Sequence, residues 1–146
     1  DWFISLDIQI IWQCGSLYYD KYKELSCKEV KIIAFVNEID QLYASADFII
    51  SRAGAATLSE LSFVAKPAIL IPSPNVAENH QFHNAMAFAD RNAAIVVTEK
   101  NLNTEFEESF MTLLDEEKQK EFIENLRQFA KPDAAKEIVN HIEEFL

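Results

Sequence analysis

The sequence predicts an α/β domain in which a parallel β-sheet is covered by helices on both faces. Three observations carry that expectation: short β-branched apolar runs recur along the chain, each is followed by a segment with helical spacing of its apolar residues, and small residues or Pro mark the joins. Parallel strands cannot be joined by a tight turn and need a crossover, commonly a helix, so strict alternation of the two patterns implies a parallel sheet. The 146 residues, 49% of them hydrophobic, are enough for one domain with a core, and a single domain over residues 1–146 is expected.

Each element has a local cause. Trp2-Phe3-Ile4-Ser5-Leu6 reads as the end of a helix, and with Asp1 rather than Met in first place the chain is expected to be a piece of a longer protein. Ile8 to Trp12 reads as a buried strand, Gln13-Cys14-Gly15-Ser16 as a turn, and Leu17 to Glu24 as a short helix. Val30 to Phe35 is the second strand, followed after Val36-Asn37 by a helix from about Glu38 to Ser45 carrying Ile39, Leu42 and Tyr43. Asp47 to Ser51 is the third strand, with Phe48-Ile49-Ile50 at its centre, and Ala55 to Ala65 a helix with Leu58, Leu61 and Val64 on its core side. After Lys66-Pro67, Ala68 to Ile71 forms a fully apolar strand that Pro72 stops. A stiff loop, 72–77, leads to a helix opening at Glu78 or Asn79 and running to about Arg91, and Ala94 to Val97 closes the sheet. Helical patterns at 102–114, 116–130 and 133–145, broken at Lys131-Pro132, complete the chain.

Charge narrows the function classes. With 24 Asp and Glu against 13 Lys and Arg, the formal net charge of -11 argues against nucleic acid or an anionic lipid surface as direct partner. The acid gathers in Glu105 to Glu124 and Glu137 to Glu144, which read as solvated faces of amphipathic helices. Cys14 and Cys27 do not make a disulfide framework, so a reducing compartment is the default. No apolar run reaches the ~18–20 residues of a membrane span, and no signal-peptide pattern opens the chain.

In open parallel sheets ligands bind beyond the carboxyl ends of the strands. That edge collects Val36-Asn37, Ser51 to Thr57 and the 72–81 loop. Ser51-Arg52-Ala53-Gly54-Ala55-Ala56-Thr57-Leu58-Ser59-Glu60 supports two readings. If the helix starts at Gly54 or Ala55, the free N–H groups of Ala55, Ala56 and Thr57 form a phosphate site and Glu60 is left for a ribose diol. If it starts at Thr57, Thr57 and Glu60 form a capping box and Glu60 is consumed by it. The polar stretch Glu78-Asn79-His80-Gln81-Phe82-His83-Asn84 offers the neutral donors and acceptors that a sugar needs, with His80 and Asn84 on one helix face, although helix starts are commonly polar. His80 and His83 lack the further ligands of a zinc site, and His141 reads as a surface residue. Neither a nucleophile elbow, a Walker A loop nor a full dinucleotide fingerprint is present, and no metal or cofactor is expected.

Taken in order, Phe35-Val36, Ser51 to Glu60, Lys66 to Pro72, and Asn79-His80-Gln81 with Asn84-Ala85 resemble the carboxyl-terminal half of the MurG family of GT-B glycosyltransferases, over nearly the whole chain. The resemblance implies the Rossmann-like, donor-binding half of a GT-B fold lacking its first strand, with added carboxyl-terminal helices. It implies transfer of N-acetylglucosamine (GlcNAc) from UDP-GlcNAc to lipid I, forming lipid II in peptidoglycan synthesis. Carried over by position, the backbone of Val36 would hold uracil with Ile39 near the base, and the helix start at Gly54, Ala55, Ala56 and Thr57 would take the α-phosphate. Glu60 would accept from the ribose hydroxyls, and His80, Gln81 and Asn84 would read the GlcNAc hydroxyls and N-acetyl group. No catalytic side chain is implied in this chain, only leaving-group stabilisation by the backbone of Ala55, Ala56 and Thr57. The family's Gly-Gly-Ser loop and amino-terminal domain lie outside the chain, and with them the acceptor site, the catalytic base and the membrane-facing patch. The chain alone is therefore expected to be inactive, and the full-length protein to sit on the cytoplasmic face of the bacterial membrane. In the family the last helix crosses to the other domain, so Ile138, Val139, Ile142 and Leu146 are expected to be partly exposed. Two other readings are a stand-alone sugar-nucleotide-binding subunit of a two-chain transferase and a UDP-GlcNAc epimerase-like GT-B protein.

Overall fold

The computed structural model of the chain describes residues 2–145, apart from the side chain of Ile4, so the expectation for Leu146 lies outside the described residues. The chain forms two units, the first running to Leu42 and the second starting at Tyr43. The five expected strands all form, each shorter than its apolar run, and every pairing is parallel.

In the first unit a short helix α1 (Trp2–Ser5) precedes β1 (Ile10–Gln13), α2 (Ser16–Tyr22) and β2 (Val30–Ile33). β1 pairs with β2 in the register Ile10 to Val30 through Gln13 to Ile33. The turn into α2 needs Gly15, whose φ of 83° and ψ of 151° lie where a side chain is strongly disfavoured. The expectation that the first strand is buried is corrected here: Ile11 is 49% exposed and Trp12 40%, and of this unit's described residues only Ile32 is buried. The reason is area. Among the described residues β1 has a hydrogen-bonded neighbour on one side only, and the seven-residue α2 is too short to cover a two-stranded sheet. Its contribution is local, with the ring of Tyr22 lying 4.9 Å from that of Trp12.

α3 (Ile39–Ser45) spans the boundary between the units and leads into β3 (Ile49–Ser51). The second unit continues with α4 (Ala55–Val64), β4 (Ala68–Leu70), α5 (His80–Ala89), β5 (Ile95–Val96), α6 (Leu102–Leu113), α7 (Glu116–Arg127) and α8 (Ala134–Glu143). Its sheet has the order β3-β4-β5, with Ile49 opposite Ala68 and Ile69 opposite Ile95. β4 is central, and Ala68, Ile69 and Leu70 are all fully buried, as a strand covered on both faces requires. Ala68 and Leu70 join Leu58 and Leu61 of α4, Ala85 and Phe88 of α5 and Leu126 of α7 in one core cluster. Ile69 points the opposite way by strand periodicity, and α6 packs against β4 as well. Phe88 stacks on Phe129 beyond α7, with ring centroids 4.1 Å apart.

Local chemistry fixes the helix ends. α4 stops at Ala65 in the left-handed conformation, whose N–H bonds to the carbonyl of Leu61 ahead of Lys66-Pro67. α5 opens one or two residues later than its polar sequence suggests. A single turn over Ala77–Asn79 precedes it, in which Glu78 and Asn79 have φ of 53° and 52°. Asn tolerates that region through local hydrogen bonding, whereas Glu adopts it rarely. At α7 the carboxylate of Asp115 accepts from the N–H of Lys118 at 2.9 Å, a side-chain cap. α8 buries none of its residues, and Ile138, Val139 and Ile142 are exposed as expected. Among the described residues no helix is long and apolar enough to cross a membrane.

Candidate functional site

The start of α4 excludes the capping-box reading of Ser51 to Glu60. The N-cap is Gly54, with φ −69° and ψ 146°, no side chain caps the helix, and the first intrahelical bond runs from the N–H of Leu58 to the carbonyl of Gly54 at 3.0 Å. The capping box is therefore not formed, because Thr57 lies within the first turn. The N–H groups of Ala55, Ala56 and Thr57 precede the first available carbonyl and have no acceptor within the helix. Ala55 and Ala56 are exposed and Thr57 is half-buried, so the positive end of the helix dipole opens to solvent beyond the carboxyl end of β3. Neither backbone nor packing demands a glycine at 54. Its φ is ordinary, and an added Cβ would meet only the Thr57 hydroxyl oxygen, at 3.9 Å. What the missing side chain does supply is room beside the N–H groups.

Glu60 is left free of the helix start and held from elsewhere. The Tyr43 hydroxyl donates to its Oε2 at 3.0 Å. Glu60 follows Thr57 by three positions, which puts both on one side of α4. Burial, and secondarily the hydrogen bond and charge of Glu60, push the Tyr43 phenol up from its ordinary 10 to about 12. The neutral phenol is thus favoured in the folded chain. Its contribution to stability is complete below the unfolded value near 10 and is lost as pH rises from there towards 12. An alkaline tyrosinate titration is expected to show one of the four tyrosines ionising late, and Tyr43→Phe to remove that late component.

The side chains on α5 are tied to the loops around them. His80 Nδ1 lies 2.8 Å from the carbonyl of Ala77, which can only accept, so Nδ1 carries the hydrogen of that contact and Nε2 is the ring nitrogen left for another partner. Gln81 Oε1 accepts from the N–H of Ser73 at 2.9 Å, which leaves its amide hydrogens available. Asn84 Nδ2 donates to the carbonyl of Ala53 at 3.4 Å and so joins α5 to the loop before α4. Ala55 and Asn84 line one recess of about 360 Å³, with Ser59 and Phe88. An open groove of about 600 Å³ runs past Asn79 and Phe82, bounded by Pro72, Pro74 and Glu99.

Arg52 braces the same edge. Its guanidinium pairs with Glu99 at 2.5 Å and donates to the carbonyl of Ile71 at 3.3 Å, which ties together the segments following β3, β4 and β5. The structure thus brings Gly54, Ala55, Ala56, Thr57, Glu60, His80, Gln81 and Asn84 onto one unit. Val36 and Ile39 belong to the other. There the N–H of Val36 donates to Gln13 Oε1 at 2.9 Å, and Ile39 is 40% exposed at the start of α3. Tyr43, Arg52, Gln13 and Ser73 were not singled out as site residues by the sequence, since their partners lie 8 to 47 positions away. Among the described residues no three His, Cys, Asp or Glu side chains gather in a way that could hold a metal ion.

Comparison with known proteins agrees with this architecture. The family model of the glycosyltransferase family 28 C-terminal domain matches residues 2–138. A curated relative from Flavobacterium psychrophilum, named UDP-N-acetylglucosamine–N-acetylmuramyl-(pentapeptide) pyrophosphoryl-undecaprenol N-acetylglucosamine transferase, is 49% identical over 97% of the chain and 39% of its own length. A protein of the same name from Christiangramia forsetii is 46% identical over 95% of the chain and 38% of its own length. The crystal structure of Acinetobacter baumannii MurG superposes with a TM-score of 0.82 at 29% identity, covering 93% of the chain and 41% of that protein. The chain thus spans about two fifths of the length of the relatives it matches. With its parallel α/β sheets, its Rossmann-like GT-B architecture and the family match over nearly all its residues, the chain belongs to glycosyltransferase family 28, as a member of its C-terminal domain.

Proposed function

We propose that this chain is the donor-binding domain of a transferase that moves GlcNAc from UDP-GlcNAc to lipid I, and that it holds the nucleotide sugar at the carboxyl end of its strands. The observation that carries the reading is the open start of α4, where the N–H groups of exposed Ala55 and Ala56 and half-buried Thr57 have no acceptor within a helix free of any side-chain cap. The names of the relatives supply the donor and acceptor.

In this reading the diphosphate lies against Ala55, Ala56 and Thr57, with the small residue at Gly54 allowing it close to the backbone. Glu60 lies about 7.5 Å along the helix from Ala55 at 1.5 Å per residue, a spacing that suits a ribose attached to the same phosphate. Its carboxylate accepts from the ribose hydroxyls. In the first unit, taken by itself, the Val36 N–H is already bonded to Gln13, which leaves the Val36 carbonyl as the acceptor there, and Ile39 is exposed at the start of α3. His80 Nε2 meets a GlcNAc hydroxyl, while the amide hydrogens of Gln81 and Asn84 donate to hydroxyl or acetyl oxygens.

Cleavage of the sugar–phosphate bond leaves negative charge on the departing UDP while the anomeric carbon becomes oxocarbenium-like. Oriented N–H groups at the helix start stabilise that charge without reorganising, and they do so more in the transition state than in the ground state. The acceptor site, the base that deprotonates the acceptor hydroxyl and the contact with the inner face of the membrane are assigned to parts of the transferase outside these residues. The test is saturable binding of UDP-GlcNAc by the full-length gene product carrying this chain, with the site read from backbone amide resonances. Binding that leaves the start of α4 unperturbed would remove the proposal.

A further inference from the structure

We propose that Tyr43 is a positioning residue that aims the Glu60 carboxylate at the ribose of the nucleotide, and so sets discrimination for the 2′- and 3′-hydroxyls. The inference rests on the donor-site reading of Glu60 above and adds to it a residue from a different helix. The geometry carries it. The Tyr43 ring packs against the core cluster of the second unit, so its hydroxyl is a fixed point, and that hydroxyl donates to Glu60 Oε2 at 3.0 Å.

Glu60 itself is exposed on α4 and has three rotatable side-chain bonds. Alone it would have to be ordered by the incoming ligand. A carboxylate has about four lone-pair directions, and the phenol occupies one of them on Oε2, which leaves Oε1 and the remaining Oε2 direction for a pair of hydroxyls. The bond therefore removes rotamer freedom before the ligand arrives without filling the acceptor capacity that a diol needs. A phenol suits the task because it donates but carries no positive charge, so the carboxylate keeps its full negative charge for the ribose.

The experiment is a double-mutant cycle on the full-length gene product, with UDP and 2′-deoxy-UDP as probes in calorimetric titrations. Phe preserves the packing ring, and thermal melts of each variant confirm that it folds. Tyr43→Phe is expected to weaken UDP binding about 3- to 10-fold and to shrink the preference for UDP over 2′-deoxy-UDP. In a Glu60→Ala background the same change is expected to alter binding less than about twofold, because the group being aimed is gone. Equal losses in the two backgrounds would show that Tyr43 acts through packing and would overturn the positioning role. Wild-type affinity and ribose preference in Tyr43→Phe would overturn it too, while leaving the donor site intact. Failure of Glu60→Ala to change UDP binding would instead overturn the ribose role of Glu60, and the positioning role with it.

Discussion

Glu60→Ala in the full-length gene product is expected to raise KM for the nucleotide sugar by about 10- to 100-fold, while KM for the lipid acceptor stays within about twofold. The size follows from losing hydrogen bonds to a charged acceptor, worth roughly 1.5–3 kcal/mol, and each 1.4 kcal/mol is tenfold. The direction follows from position. Glu60 lies on α4 beyond the free N–H groups, is exposed, and serves no capping role in the fold, so its removal costs the helix little. The substitution leaves the Tyr43 hydroxyl without its partner, but Tyr43 is only partly buried and water can replace the carboxylate. Steady-state kinetics with donor and acceptor varied separately check this. A loss confined to the acceptor would contradict the ribose assignment.

Leu61→Ala, one residue further along, is expected to act through stability. The Leu61 side chain is fully buried and sits in the cluster that joins α4 to β4, α5 and α7, with Leu58, Leu70, Phe88 and Leu126 around it. Removing a buried leucine to alanine costs about 3 kcal/mol, the sum of lost transfer energy and the cavity left behind. Against a total stability of about 5–15 kcal/mol for a typical domain, that is a large fraction. Urea unfolding of the chain is expected to show a lower midpoint with little change in slope. Neighbouring Glu60→Ala serves as the contrast, since it is expected to leave the midpoint nearly unchanged. A similar midpoint for wild type and Leu61→Ala would contradict the core assignment.

These two adjacent residues show what was legible in the sequence. Leu61 and Glu60 separate by helical periodicity alone, and the succession β3, α4, β4, α5 could be read because each strand is apolar on both faces and each join carries Gly, Pro or small residues. The helix start at Ala55 could not be settled that way, since Thr57 and Glu60 fit a capping box as well as a ligand site. Burial of the first unit was overestimated for a related reason: the β-branched character of Ile8 to Trp12 says what could be buried, while the exposure of Ile11 and Trp12 depends on whether a second layer of structure covers them. Glu78 carries no local sign of its left-handed backbone, although Asn79 does.

The site was legible as a set of residue types and not as a set of bonds. Spacing placed His80, Gln81 and Asn84 on the first turns of one helix. It could not say that Ser73 occupies Gln81 Oε1, that Ala77 engages His80 Nδ1, or that Asn84 reaches back to Ala53. Those bonds decide which atoms remain for a ligand. Likewise the Tyr43–Glu60 and Arg52–Glu99 pairs join residues 17 and 47 positions apart, and only the folded chain brings them together.

The central claim is that the open start of α4 receives the diphosphate. It is tested most directly by titrating UDP-GlcNAc into the full-length gene product while the amide resonances of Ala55, Ala56 and Thr57 are followed. The account predicts saturable shifts at these three amides, among the largest in the protein, with one midpoint that matches the calorimetric affinity. Saturable binding with these amides unmoved, or the absence of any saturable binding, would contradict it.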